Sequence, residues 1–295
     1  MELEKIFKDF LEKMIQLTLL QRSADNVFKK EIRALELYKN EREKQPDIDN
    51  KYFDLHNMFF RMADTGEYYF YGHVDRSIEE KELSTYVHKN RQYQWILAEA
   101  YEEFEDFLEG IYACAAYHDH NLWPLGDFGN IRFQEIEGKN FKWFLEQAER
   151  KKGGPKAIIK DLKKIFPIIS DAERNNSLNI DLGFAIAMIE MFRHIIVHNG
   201  GRVKNKDDFS NKIFDKCGLS KKGQTADEYR NYILYFFGRD HFEDKILLLE
   251  RPIKGSSLHG HHKNIVEDLN RYLMAYAHMV YIALDKHINT LKNNM

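Results

Sequence analysis

The segment that most constrains this fold is an apolar run over residues 180–191. Leu182, Phe184, Ala185, Ile186, Ala187, Met188, Ile189 and Met191 are nearly uninterrupted, and Phe192 follows. A helix that is apolar on every side has to be buried on every side, so the rest of the chain must wrap around it. The run ends in Arg193-His194-Ile195-Ile196-Val197-His198-Asn199-Gly200-Gly201. The glycine pair predicts the helix stop, because glycine after the last turn accepts a left-handed backbone without steric cost. Ionisable side chains on the end of so apolar a helix need partners or a task, since an uncompensated buried charge is costly.

The surrounding chain also reads as helix. Five prolines in 295 residues and long stretches at helical spacing predict an all-α protein. Over residues 1–45, Leu3, Ile6, Phe7, Phe10, Leu11, Met14 and Leu17 recur at intervals of three and four, a stripe that has to dock on a core or a partner helix. Gln45-Pro46-Asp47 breaks this unit. Residues 52–63 fit a helix or an extended segment, and Thr65-Gly66-Glu67 followed by Tyr68, Tyr69, Phe70 and Tyr71 fits a turn and a short strand. That aromatic cluster is expected in a core, with base stacking as its functional alternative. A polar, weakly patterned stretch runs to about residue 90, where we place the boundary between an N-terminal helical extension (1–90) and a helical domain (91–295).

Within that domain, residues 92–117 keep the three-four spacing through Ile96, Leu97, Ala100, Phe104, Leu108 and Ile111, with an acidic opposite face. Helices are predicted at 141–150 and, opened by Pro155, at 155–169, which together with Lys151 and Lys152 is the most basic region. Asn175-Asn176-Ser177 is the expected cap of the apolar helix. Residues 227–237 fit helix or strand, 245–249 a short strand, and 264–291 a closing helix. The fold class is therefore an all-α bundle with an N-terminal helical extension and room for a short strand pair.

A net charge of −3 gives no global pull toward nucleic acid, so any such contact must rest on a local basic cluster. Cys114 and Cys217 match no CxxC spacing and predict neither disulfide nor thiolate metal site, which fits a reducing cytoplasm. The charged N-terminus lacks the order of a signal peptide, and no apolar run reaches the length of about 18 residues needed to span a membrane. The phosphate-binding glycine loop, the dinucleotide fingerprint and the GxSxG elbow are all missing.

Arg193 and His198, separated by four mostly apolar residues and followed by Asn199 and Gly200-Gly201, resemble the RxxxxH motif of the HEPN superfamily. The resemblance covers about residues 91–295. It implies a four-helix core, metal-independent cleavage of RNA without a cofactor, and a homodimer whose two motifs face each other across a shared cleft. It also implies a toxin–antitoxin or phage-defence setting, with an antitoxin or other protein partner. The segment Ala100-Tyr101-Glu102-Glu103-Phe104-Glu105-Asp106 looks like the family helix whose carboxylate faces the motif arginine. Glu105 is the position matched, with Glu102 and Glu103 as near competitors. Where one variant of the family carries a tyrosine two residues after the histidine, this chain has Gly200.

The residue types suit the chemistry. Cleavage through the 2′-hydroxyl needs a base, an acid and positive charge on the phosphorane. His198 serves proton transfer because histidine as a residue type exchanges protons near neutral pH. Arg193 serves the phosphate, because its planar fork donates two parallel hydrogen bonds and stays charged. Asn199 is the candidate for orienting substrate or His198. On an ideal helix Arg193 and His198 project about 140° apart, so one site needs a distorted last turn or a second copy of the chain. The bland alternative is that both merely favour a helix C-terminus as cations. It extends to a non-catalytic module that binds RNA or protein. His194 and His198, four apart, have the spacing of two zinc ligands, but the neighbouring glutamate of a metalloprotease helix is replaced by Ile195. His118 with His120, or His259, His261 and His262, would have to complete such a site. No metal is assigned.

Overall fold

The computed structural model describes residues 2–44, 51–252 and 262–293. It is mostly helical, and no helix among the described residues is long and apolar enough to cross a membrane. In chain order the elements are α1 (Glu2–Arg42), β1 (Lys51–Arg61), β2 (Tyr68–Ser77), α2 (Ile78–His118), α3 (Phe141–Glu149), α4 (Gly154–Ile165), α5 (Pro167–Ala172), α6 (Leu182–Asn199), α7 (Lys206–Cys217), α8 (Gln224–Leu234), β3 (Arg251–Pro252), β4 (His262–Lys263) and α9 (Ile265–Asn293).

Two compact units divide the chain, one of Met1–Leu19 with Tyr93–Met295, the other of Leu20–Gln92. The expected boundary lies at residue 90, with 1–90 as an N-terminal extension. The first 19 residues, however, group with the larger unit instead of an N-terminal extension. The reason is the stripe itself: Leu3, Phe10, Met14 and Leu17 are buried in the larger core, with the Phe10 ring 5.0 Å from that of Phe107.

In the larger unit α6 is the buried axis. Met188, Ile189 and Phe192 are fully enclosed, as are Leu97, Phe104, Leu108 and Ile111 of α2 and Leu273, Ala277 and Leu284 of α9. Burial of each such side chain is worth roughly 1.5–3 kcal/mol, so this core dominates the stability of the unit. The helix expected over 155–169 is two helices. Pro167 lacks the amide hydrogen needed to continue α4, and Phe166, at φ −121°, separates the pair. Residues 245–249 form no strand. Lys245 and Ile246 make isolated bridges to Arg202 and Phe237, which tie this segment to the chain just beyond α6.

The smaller unit contains an antiparallel hairpin, β1 with β2, in which Phe59 faces Phe70 and Phe60 faces Tyr69. The aromatic cluster expected in a core is instead exposed: Phe59, Phe60, Tyr68, Tyr69, Phe70 and Tyr71 all lie open, Tyr69 at 52%. Side chains of a two-stranded sheet alternate between its faces, and neither face here is covered by another layer of the same unit. The weakly patterned stretch before residue 90 is the first part of α2. Past Ile78, its buried positions are polar: Lys89 Nζ lies 2.7 Å from Asp25 Oδ1, and Thr85 Oγ1 donates to Glu31 Oε1 at 3.1 Å.

Candidate functional site at the end of helix α6

Asp181, not the 175–177 segment, caps α6. Its Oδ1 accepts from Phe184 N at 2.9 Å, satisfying one of the free amide groups of the first turn. Asn176 instead binds the preceding loop, its Nδ2 donating to Ile180 O at 2.7 Å. At the other end Gly200 stops the helix with φ +60°, and Gly201 N donates to Ile195 O at 3.0 Å. The stop expected from the glycine pair is therefore formed by a left-handed turn.

Arg193 leaves the buried face of α6 toward α2. Its Nη2 donates to Glu102 Oε1 at 3.1 Å, with the side chains 27% and 53% exposed respectively. Its Nε is buried with no hydrogen-bond partner. Of the carboxylates considered, Glu102 is the one bonded to the arginine, and Glu103 instead pairs with Lys13 at 3.2 Å. Glu105 stands close enough to Arg193 to feel its charge. Partial burial pushes the Glu105 carboxyl up to about 7, Arg193 opposes the rise, and the nearby Glu190, Glu102 and Glu109 add to it. Glu190, three residues before Arg193 on α6, forms an ion pair with Lys216 of α7.

The two histidines lie together. The His194 and His198 rings sit 4.7 Å apart at 55°, both exposed. Burial, followed by the charges of His198, Lys216, Arg193 and Lys212, lowers the pKa of His194. His194, Ile195 and Asn199 border a cleft of about 880 Å³ against α7, whose charged lining mixes Arg202, Lys204, Lys212 and Lys216 with Asp208, Asp215 and Asp244. The single chain thus brings His194 to His198, Asn199 into a cleft of mixed charge and Arg193 to Glu102. Arg193 and His198 share no hydrogen bond, ion pair or ring contact among the described residues, as their angular separation on the helix anticipates.

Among the described residues, no group of three or more His, Cys, Asp or Glu side chains is placed to hold a metal. His120 stacks on Phe144, with ring centroids 5.6 Å apart, and His118 is partly buried beside the C-terminal turn of α9. His262 lies in β4, while His259 and His261 fall outside the described residues.

Glu190 and Lys216 carry charge at this site and were not foreseen. Glu190 had a legible signal, a lone carboxylate inside an otherwise apolar helix. Lys216 had none, because only tertiary packing brings α7 alongside α6. Comparison of the chain with protein-family models, curated proteins and solved structures finds no match.

Proposed function

We propose that this chain is a metal-independent endoribonuclease of the HEPN kind, a homodimer that cuts RNA in the cytoplasm in a toxin–antitoxin or phage-defence setting. The observation that carries the reading is at the end of α6, where one side presents the exposed His194–His198 pair and another sets Arg193 near Glu105, whose carboxyl burial pushes up to about 7. In this reaction His198, from one copy, takes the proton of the ribose 2′-hydroxyl. The 2′-oxygen attacks the adjacent phosphorus, the bond to the 5′-oxygen breaks, and that oxygen receives a proton from the second copy's site. The products are a 2′,3′-cyclic phosphate and a 5′-hydroxyl. Arg193 neutralises the phosphorane oxygens, Asn199 orients the strand in the cleft against α7, and Glu105 faces Arg193 as the carboxylate of the site.

A second reading is supported by a specific observation. With its Nη2 on Glu102 and no contact to His198, Arg193 sits as it would in a non-catalytic module that binds RNA or a protein such as an antitoxin. Incubating labelled RNA in EDTA with wild type, Arg193→Ala and His198→Ala separates the two. EDTA-resistant cleavage that drops at least about 100-fold in both variants is the expected result for an acid–base and phosphate-binding pair. No cleavage by wild type, or equal cleavage by all three proteins, would overturn the enzyme reading. RNA binding without cleavage would favour the module.

A further inference from the structure

Helix α4 carries Lys156, Lys160, Lys163 and Lys164 within its twelve residues. Intervals of four and three place Lys156, Lys160 and Lys163 on one face, where like charges oppose helix formation. That face is one wall of a cleft of about 580 Å³, and the facing wall is α6 through Gly183, Ile186, Ala187 and Glu190. The cleft is separate from the one bordered by His194 and Asn199, and Lys216 alone borders both.

Six cationic side chains and three carboxylates line this cleft, and the carboxylates are already engaged. Glu173 meets Lys163 Nζ at 2.5 Å and accepts from the Tyr276 hydroxyl at 2.8 Å. Glu190 is paired with Lys216, and Asp181 caps α6. Lys156 and Lys160, both exposed at the rim, have no ion-pair partner among the described residues. Two uncompensated ammonium groups one helical turn apart are a site for an anion.

The interior has a different character. Tyr101, Ile186 and Ala187 make a buried, largely apolar floor, and Glu173, 6% exposed, sets a single carboxylate at its base. A Cβ at Gly183 would lie 3.1 Å from that carboxylate, so a side chain there would press on Glu173. A cationic rim over an apolar floor with one buried acceptor matches a molecule with a phosphate at one end and a flat, N–H-bearing ring at the other. The volume lies within the usual range for small-ligand pockets.

We propose that the cleft between α4 and α6 binds a nucleotide, its phosphate on Lys156 and Lys160 and its base on the Tyr101–Ile186–Ala187 floor with an N–H toward Glu173. A free nucleotide and one nucleotide of an RNA strand present the same groups. The proposal concerns binding alone and stands or falls independently of RNA cleavage.

The test uses the full-length chain. Each of the four ribonucleoside 5′-monophosphates is titrated calorimetrically, and a short labelled single-stranded RNA is followed by fluorescence anisotropy. Lys156→Glu with Lys160→Glu is compared with a charge-matched double variant outside the cleft, Lys142→Glu with Lys152→Glu, and circular dichroism verifies folding. We expect the cleft variant to weaken binding by about tenfold or more, as loss of charge-assisted phosphate contacts should. The matched variant should bind monophosphate within about twofold of wild type, as expected of exposed sites away from the ligand. In wild type, bound ligand should protect Lys156 and Lys160 from a lysine-acetylating reagent. Binding of monophosphate identifies the free nucleotide as a sufficient ligand, and binding of RNA alone identifies the strand. If neither binds, if both double variants lose binding equally, or if Lys156 and Lys160 are not protected, the proposal is wrong.

Discussion

Arg193 Nη2 donates to Glu102 Oε1 at 3.1 Å while its Nε is buried with no acceptor, so the guanidinium is held by one edge only. A phosphate needs the fork of that group, and Glu102 is the group it would displace. Glu102→Gln should therefore tighten RNA binding, by up to about tenfold, since a charge-assisted hydrogen bond is of that order. It should change unfolding free energy by less than about 1 kcal/mol, as expected of a half-exposed pair. Anisotropy titration and urea denaturation read the two effects, and weaker RNA binding by the variant would remove Arg193 from the phosphate contact.

Glu105 makes stability depend on pH. Its carboxyl has an ordinary value of 4.5 and is pushed up to about 7 in the folded chain, chiefly by burial. Between these values the folded state holds more protons than the unfolded one. Stability contributed by this group is therefore present below about 4.5, falls as pH rises to about 7, and stays lost above it. Glu105→Gln should remove that decline, so the difference in urea midpoint between pH 5 and pH 8 should shrink in the variant. An unchanged difference would mean that Glu105 titrates in its ordinary range.

Gly201 combines φ +77° with a close neighbour. A Cβ there would lie 2.4 Å from Nε2 of Gln94, which donates to Ile246 O at 2.6 Å in the interior. Gly201→Ala must strain the left-handed backbone and push Gln94 off the Ile246 carbonyl, leaving buried polar atoms unsatisfied. We expect a loss of about 2–4 kcal/mol by chemical denaturation. A loss below about 1 kcal/mol would show that the loop shifts freely around the new methyl group.

Core and hairpin aromatics should separate sharply. Phe192, fully buried between the rings of Phe209 and Phe236, should cost about 3–5 kcal/mol on replacement by alanine. Tyr69→Ser removes an exposed ring whose main contact is cross-strand, with Phe60 at 5.4 Å, and should cost less than about 1 kcal/mol. Equal losses in thermal or chemical denaturation would place Tyr69 in a buried environment after all.

The helices that could be read from the chain were those whose buried faces are apolar. The three-four spacing of Ile96 to Ile111 and the continuous run of α6 needed no tertiary information, because burial of that much apolar surface has few solutions. The first part of α2 was opaque for the opposite reason. Its enclosed positions, Thr85, Lys89 and Asn90, are polar, and a hydropathy pattern cannot register a lysine whose cost of burial is met by Asp25. The aromatic hairpin misled in the same way, since Tyr and Phe signal burial only if another layer exists to cover them.

For the candidate site, the chain alone determined which side chains stand at the end of α6, that a glycine turn stops the helix there, and that Arg193 and His198 project far apart. Those are local facts, set by residue order and helical geometry. Only the tertiary structure decided that Glu102 bonds the arginine, that Glu105 is shifted by burial, and that Lys216, paired with Glu190, stands between two clefts. Pairing across 91 residues and burial of a carboxylate depend on how helices dock. Docking is governed by the shape and packing of whole faces, not by the identity of neighbours in sequence.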